Sequence, residues 1–409
     1  HLARKDTAMS LPVSLPAVIA APPASLVRQV PPGECPEEWY CRHPEAVSQA
    51  FAAAKERGAS LLLAPTAGGN GAALAEFGLE GSMKELNFNL MRQCKEAAAS
   101  LGLPIGGVLG PTGRFVPPLG EEDFDDIYEL YRAQVHELVK AGADFLFLSG
   151  HQCLSDLRAA MLAAKRKKLP VLASLTVDAS GKTLSGGTLL PAVIILQAMG
   201  ADAVGLEGNL SPQQMLEELE EVLPHASIPL LAMPEAEDEE GIPLAPEIFA
   251  DGCAAILKAG IPLIGGVHLT DKQLAALGAL DFSQPVPGDF YEDADNYAAA
   301  IESEAFFLGE DIIYSEPMDC DGGLAEDLID IDDEIANATL VRIETPDDAQ
   351  WLAKEAVMTR QPIAVQTDSL PVLEAALRYF PGRLIIDSDC ELEEEVLSPL
   401  AAKYGAILY

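Results

Sequence analysis

Basic residues are scarce in this chain. Lys and Arg number 26 against 64 Asp and Glu, a formal net charge of −38 over 409 residues. Phosphate backbones and anionic lipid surfaces need Lys and Arg for neutralisation, so this balance excludes nucleic acid and membrane as partners. Long apolar runs are missing as well. No stretch reaches the roughly 18–20 residues of a membrane span, and His1 to Ser10 lacks the apolar segment of a secretory signal. The seven cysteines (Cys35, Cys41, Cys94, Cys153, Cys253, Cys320 and Cys390) are odd in number, scattered, and include no CxxC or adjacent pair. That spacing excludes a disulfide framework and a metal knuckle and points to a reducing, cytoplasmic setting. No GxGxxG follows the first apolar run, which weighs against a dinucleotide-binding open sheet.

What is present is a large apolar fraction, 49% of residues, enough for a substantial core beneath a self-repelling acidic surface. Acid is concentrated between Asp289 and Asp348. The length suits a barrel of roughly 250–300 residues with a smaller unit beside it.

From Ala17 onward the chain alternates. Ala17–Ala20 reads as a first strand at the end of an N-terminal segment, residues 1–32. Residues 44–57 then show helical spacing of apolar positions, with Pro44 in the first turn and Gly58 as the stop. Apolar runs follow at Leu61–Ala64, Ile105–Leu109, Phe145–Leu148, Val171–Thr176, Ala203–Leu206, Pro229–Met233 and Pro262–Ile264, each separated from the next by a helical segment. Ser155 and Asp156 are placed to cap one helix, and Ser211 with Pro212 to open another. Strands apolar throughout are buried on both faces, as parallel sheets require. Eight βα units predict an α/β fold of the (β/α)8 TIM-barrel class over residues 33–283 plus the first strand; a doubly wound open sheet is the alternative. Pro285, Pro287 and Gly288 mark a linker, 284–300. Residues 301–409 read as a small, partial α/β domain with strands at Ile312–Tyr314, Thr339–Ile343, Ile363–Val365, Leu384–Ile386 and Ala406–Leu408. It ends on a strand at Tyr409, either as a half-unit packed on the barrel or as part of a longer chain.

Seven loop sequences fall in order on this frame: Gly33-Glu34-Cys35-Pro36-Glu37, Thr66-Ala67-Gly68-Gly69-Asn70, Gly110-Pro111-Thr112-Gly113, Ser155-Asp156-Leu157-Arg158, Gly181 to Gly186, Ala201 to Leu206, and Gly265-Gly266. In this order and spacing they resemble the homocysteine S-methyltransferase family, including the homocysteine-binding barrel of cobalamin-dependent methionine synthase. Pro362 to Ser369, Gly382 to Ser388 and Lys403 to Ala406 resemble part of the pterin-binding barrel that follows it there.

The resemblance implies a zinc ion that holds homocysteine as its thiolate, because the thiol itself is a poor nucleophile. Three cysteines would bind that zinc, one after the sixth strand and an adjacent pair after the eighth, with the fourth position left for substrate sulfur. Here those positions hold Gly208, Val267 and His268. Zinc, folate and cobalamin are expected for active relatives, and this chain gives no support for any of them. The reading is a divergent or non-catalytic barrel that binds a small amino acid or thiol, alone or beside cobalamin or folate modules of a longer chain. The alternative is an active methyltransferase that uses a non-cysteine metal site or help from such modules. Candidate ligand-binding residues at the strand ends are Thr66, Gly69, Asn70, Thr112, His151, Glu207, Asn209 and His268. Backbone amides of the glycine turns are candidates for a carboxylate, and Glu207 for an amino group. The catalytic residue is unknown from sequence. His136 reads as a structural helix residue and His225 as a surface loop residue.

Overall fold

The computed structural model describes residues 11–283, 298–309, 311–329, 335–355 and 359–409. The first part closes into an eight-stranded parallel barrel in sequential order. Its strands are β1 (Ala17–Ala20), β2 (Leu61–Leu63), β3 (Ile105–Leu109), β4 (Phe145–His151), β5 (Val171–Leu175), β6 (Ala203–Glu207), β7 (Leu230–Met233) and β8 (Leu263–Ile264). Closure is made by β1 against β8, with Ala17 opposite Leu263. Successive strand residues point to opposite faces, so each apolar run splits between two cores. Ile19, Leu61, Leu63, Phe145, Phe147, Leu172 and Met233 fill the barrel interior. Val18, Leu62, Leu146 and Leu148 face the surrounding helices. The N-terminal segment contributes Leu11, Val13 and Leu15 to the interior cluster. A Cβ at Gly106 would lie 2.4 Å from the Phe145 ring, so a small residue on β3 makes room for a large one on its neighbour.

The reading of β4 is corrected in one respect. His151 lies on the strand, not in the loop after it. The register shifts between Leu148 and His151, and Gly150 takes a left-handed φ of 64°. This irregularity carries the strand past Ser149-Gly150, which break its apolar run. The helix Leu154–Lys165 begins earlier than Ser155 and has no side-chain cap. The capping expected at Ser211 is present as a full capping box with Gln214.

The second unit contains an antiparallel pair, β9 (Ala298–Ala300) with β10 (Ala305–Phe307). It also contains a parallel sheet of β11 (Met318–Asp319), β12 (Thr339–Arg342), β13 (Ile363–Gln366), β14 (Ile385–Ile386) and β15 (Ile407–Leu408), again in sequential order. Residues 284–297 of the expected linker lie outside the described residues, and its last three form β9. Ile312–Tyr314 is not a strand; Tyr314 makes a single bridge to Ala338.

The barrel helix Leu189–Ala198 explains how the units meet. Its sequence, LLPAVIILQA, is apolar nearly all round, a pattern that requires burial on every side. One side packs on the barrel, and the second unit covers the other: the Thr188 N–H donates to the Glu302 carbonyl at 3.3 Å, and Gly405 approaches so closely that a Cβ there would lie 2.8 Å from Met199 N. Arg158, fully buried, reaches from the helix Leu154–Lys165 to the end of Leu370–Tyr379 and donates to the carbonyls of Leu377 (2.8 Å) and Arg378 (3.2 Å). Arg378 in turn pairs with Asp125 of the barrel. His225, expected at the surface, is half-buried with its ring tilted against that of Phe307, centroids 4.7 Å apart, whereas His136 is exposed on its helix.

Candidate site at the barrel mouth

Glu207 ends β6 at the carboxyl face of the barrel, where enzymes of this architecture keep their chemistry. Its carboxylate accepts hydrogen bonds from Ser149 Oγ (2.9 Å to each oxygen) and Ser174 Oγ (2.6 Å to Oε2). Ser174 Oγ in turn accepts from the Gly150 N–H at 2.9 Å. Burial pushes the Glu207 pKa up, opposed by the two serine hydroxyls and Gly150. The result is a carboxyl group held in place at the mouth by hydroxyl groups, without a cation of the chain's own beside it among the described hydrogen bonds and ion pairs. The serines were missed in sequence; Ser174, the lone polar residue of VLASL, is the one signal that could have pointed to them.

The next two residues turn sharply. Gly208 has φ 71° and Asn209 φ 58°. Across the mouth His268 has φ 57°. Asn209 and His268 are the non-glycine residues with left-handed φ among the described residues, a conformation uncommon enough in side-chain-bearing residues to mark a site. Asn209 Nδ2 donates to the Val177 carbonyl at 3.2 Å. His268 Nδ1 lies 2.9 Å from Glu235 Oε1, and that hydrogen bond raises the imidazole pKa. The loops after β6 and β8 do converge: a Cβ built on Gly208 would sit 4.0 Å from Val267 Cγ2. Neither Gly208 nor Val267 has a side-chain donor atom. Among the described residues no three His, Cys, Asp or Glu stand together as a metal ion would require. The residues at these positions therefore do not fit a three-thiolate zinc site.

The remaining candidates divide differently. Thr66, Gly69 and Asn70 are tied into the scaffold. Thr66 Oγ1 donates to the Val108 carbonyl (2.8 Å) and accepts from the Val108 N–H (2.9 Å). Asn70 caps the helix Gly71–Ala75 through the Ala73 N–H. A Cβ on Gly69 would meet Asn87 Oδ1 at 2.3 Å, so only glycine fits. The glycine-turn amides are also committed: Gly68 N–H to Glu37 Oε1 (2.7 Å), and Gly69 and Gly110 N–H to the carbonyls of Thr66 (3.0 Å) and Ala67 (2.9 Å).

Thr112 and His151 belong to a buried network that sequence reading missed. Asp156 accepts from Thr112 Oγ1 (3.0 Å) and Tyr131 Oη (2.8 Å), and His151 Nε2 lies 3.0 Å from the same Tyr131 oxygen. Tyr131 has one proton; with it on Asp156, Nε2–H of a neutral His151 donates to the phenol oxygen. Burial lowers the His151 pKa to about 3 from 6.5 and raises that of Asp156 to about 7 from 3.8. Their linkage to stability is therefore opposite. Between pH 3.8 and 6.5 the folded chain holds a proton on Asp156 that the unfolded chain has lost, so stability falls as pH rises. Over the same interval the unfolded chain holds a proton on His151 that the folded chain lacks, so stability rises. The two slopes offset each other. Asp156→Asn removes the first, and its stability relative to wild type is expected to climb with pH across that interval by at most about 1.4 kcal/mol per unit. Melting temperatures from pH 4 to 7 would show it; parallel wild-type and variant profiles would refute it.

Among the described residues no helix is long and apolar enough to cross a membrane. The family model for homocysteine S-methyltransferase matches residues 17–274. A methionine synthase of Mycobacterium leprae is 25% identical over 378 residues, covering 81% of this chain, hence part of the second unit, and 31% of its own length. A methionine synthase of Mycobacterium tuberculosis is 28% identical over 229 residues, covering 52% of this chain and 19% of its own. The chain thus spans about a third or less of these relatives. The metallated homocysteine methyltransferase MmuM of Escherichia coli superposes with a TM-score of 0.53 at 21% identity, over 64% of this chain and 95% of that one; at that identity the likeness speaks to the barrel fold. With the family model spanning all eight barrel strands, this chain belongs to the homocysteine S-methyltransferase family.

Proposed function

We propose that this barrel is a divergent, amino-acid-binding member of its family that no longer activates a thiol through a zinc–thiolate centre. The observation that carries this reading is the pairing of Gly208 with Val267 at the converged loops, beside the hydroxyl-held carboxyl of Glu207. Thiolate formation at neutral pH needs a metal or a neighbouring cation; Gly208 and Val267 supply neither, and the imidazole of His268 is engaged by Glu235. Glu207 offers what an amino acid ligand needs at its other end: a carboxyl group for its ammonium, oriented by Ser149 and Ser174. The chain's role is then recognition or scaffolding within the larger reaction that its relatives' names describe, with cobalamin or folate modules supplied by other segments.

Calorimetry tests this. Homocysteine and methionine are expected to bind with similar affinity, since the sulfur is not engaged by metal. Glu207→Gln is expected to weaken both at least about tenfold, the equivalent of about 1.4 kcal/mol for one charge-assisted contact. Homocysteine turnover by the isolated chain with a methyl donor, or one zinc per chain in wild-type protein, would overturn the proposal.

A further inference from the structure

A cleft of about 480 Å³ opens between the barrel and the second unit, away from the barrel axis. None of Glu207, Asn209 or His268 lines it. One wall is the segment after β3 and the start of the helix Phe124–Lys140, contributing Glu121 and Phe124; the other is the helix Pro346–Glu355 with Tyr379, contributing Asp347, Trp351 and Lys354. The volume lies in the range of small-molecule sites, about 300–1,000 Å³.

Its chemistry is one-sided. Trp351 is 44% exposed, an indole face left open at the junction of two units. Phe124 and Tyr379 pack edge to face beside it, with centroids 6.2 Å apart. Tyr379 is fixed by donating to Asp125 Oδ2 at 2.9 Å. Of the lining carboxylates, Glu122 is paired with Arg114 and Asp123 caps its helix through the Asp125 N–H. Glu121 and Asp347 have neither a hydrogen bond nor an ion pair among the described residues. Lys354 shows what the site attracts. Its ammonium makes no ion pair among the described residues and lies 5.0 Å from the Trp351 ring centre. An aromatic face draws a cation through its ring quadrupole, most strongly when the cation is weakly hydrated. A lysine ammonium is strongly hydrated, so an alkylated ammonium is the better occupant.

We propose that this cleft binds an organic cation with an apolar body, an alkylated ammonium, against Trp351, with Glu121 and Asp347 as its counter-charges and Lys354 as the internal cation it displaces. The chain has only two tryptophans, and the other, Trp39, is buried against His43. Trp39 does not line the cleft, so a change in emission on binding reports on Trp351.

Choline and its uncharged carbon analogue 3,3-dimethylbutan-1-ol are the probes, titrated into the full chain by calorimetry and tryptophan emission. Choline is expected to bind saturably, and the alcohol at least about fivefold more weakly. The double variant Glu121→Gln/Asp347→Asn should bind choline about tenfold more weakly, and Trp351→Leu should lose binding by calorimetry. Lys354→Gln should bind several-fold more tightly, an outcome that damage to the fold could not produce. Equal affinity for the two probes, affinity unchanged in the double variant, or no saturation by about 10 mM choline would overturn the proposal.

Discussion

The triple variant Gly208→Cys/Val267→Cys/His268→Cys is expected to take up one zinc ion per chain, while wild-type protein treated identically takes up none. Sulfurs in a tetrahedral zinc site lie about 3.8 Å apart, given Zn–S bonds of about 2.3 Å. The loop positions already approach this spacing, with a Cβ at Gly208 falling 4.0 Å from Val267 Cγ2. Replacing His268 also frees Glu235 from its hydrogen bond. Against these gains stands the φ of 71° at Gly208, which costs a cysteine there about 1–2 kcal/mol. Structural zinc sites contribute about 10–16 kcal/mol near neutral pH, so the strain is minor. Metal analysis after dialysis, and a competition titration with a chromophoric chelator, would measure it. Failure of the folded triple variant to retain zinc would mean that the two loops are not held as the structure places them.

The second large effect is expected at Arg158. Its guanidinium is fully buried, its pKa is depressed to about 10 by desolvation, and it donates to two carbonyls at the C-terminal end of a helix in the other unit. Arg158→Ala removes both charge-assisted bonds, leaves the Leu377 carbonyl without that donor, and opens a cavity. The expected loss is about 3–5 kcal/mol. Calorimetric unfolding should resolve two transitions in place of one, since the arginine joins the two units. Arg158→Met, which keeps most of the volume, should lose less. An Arg158→Ala protein that melts in one transition, with a loss under about 1 kcal/mol, would show that the rest of the interface holds the units together without it.

The barrel strands were legible because each carries a short apolar run buried on both faces, with polar residues confined to the ends of β4 and β6 and to Ser174 of β5. β11 was not legible: Met318–Asp319 is short and half polar, and its place in the sheet is set by pairing with β12. At the mouth, the loops after β6 and β8 meet at Gly208 and Val267, each a fixed few residues beyond its strand end. The Thr112–Asp156–Tyr131–His151 network was hidden because it joins two helices, a strand end and a loop that no local pattern connects. Asp156 looks like a helix cap in sequence, and the structure turns its carboxylate to the network. Glu207 was visible as a charge in a conspicuous loop; the hydroxyls that hold it were not, because serine in or beside a strand has many bland explanations.

The helix Leu189–Ala198 has a consequence for anyone dividing this chain. A helix apolar on all sides has no face that tolerates water, so a boundary drawn after Ser283 would separate sequences but not folding units. The barrel expressed alone would carry leucine and isoleucine side chains on its outside, an adhesive stripe where a free-standing barrel needs a polar one. The same packing makes this helix answer to two neighbours at once: a substitution that suits the barrel must also suit the sheet behind it, and the segment has correspondingly little freedom to drift.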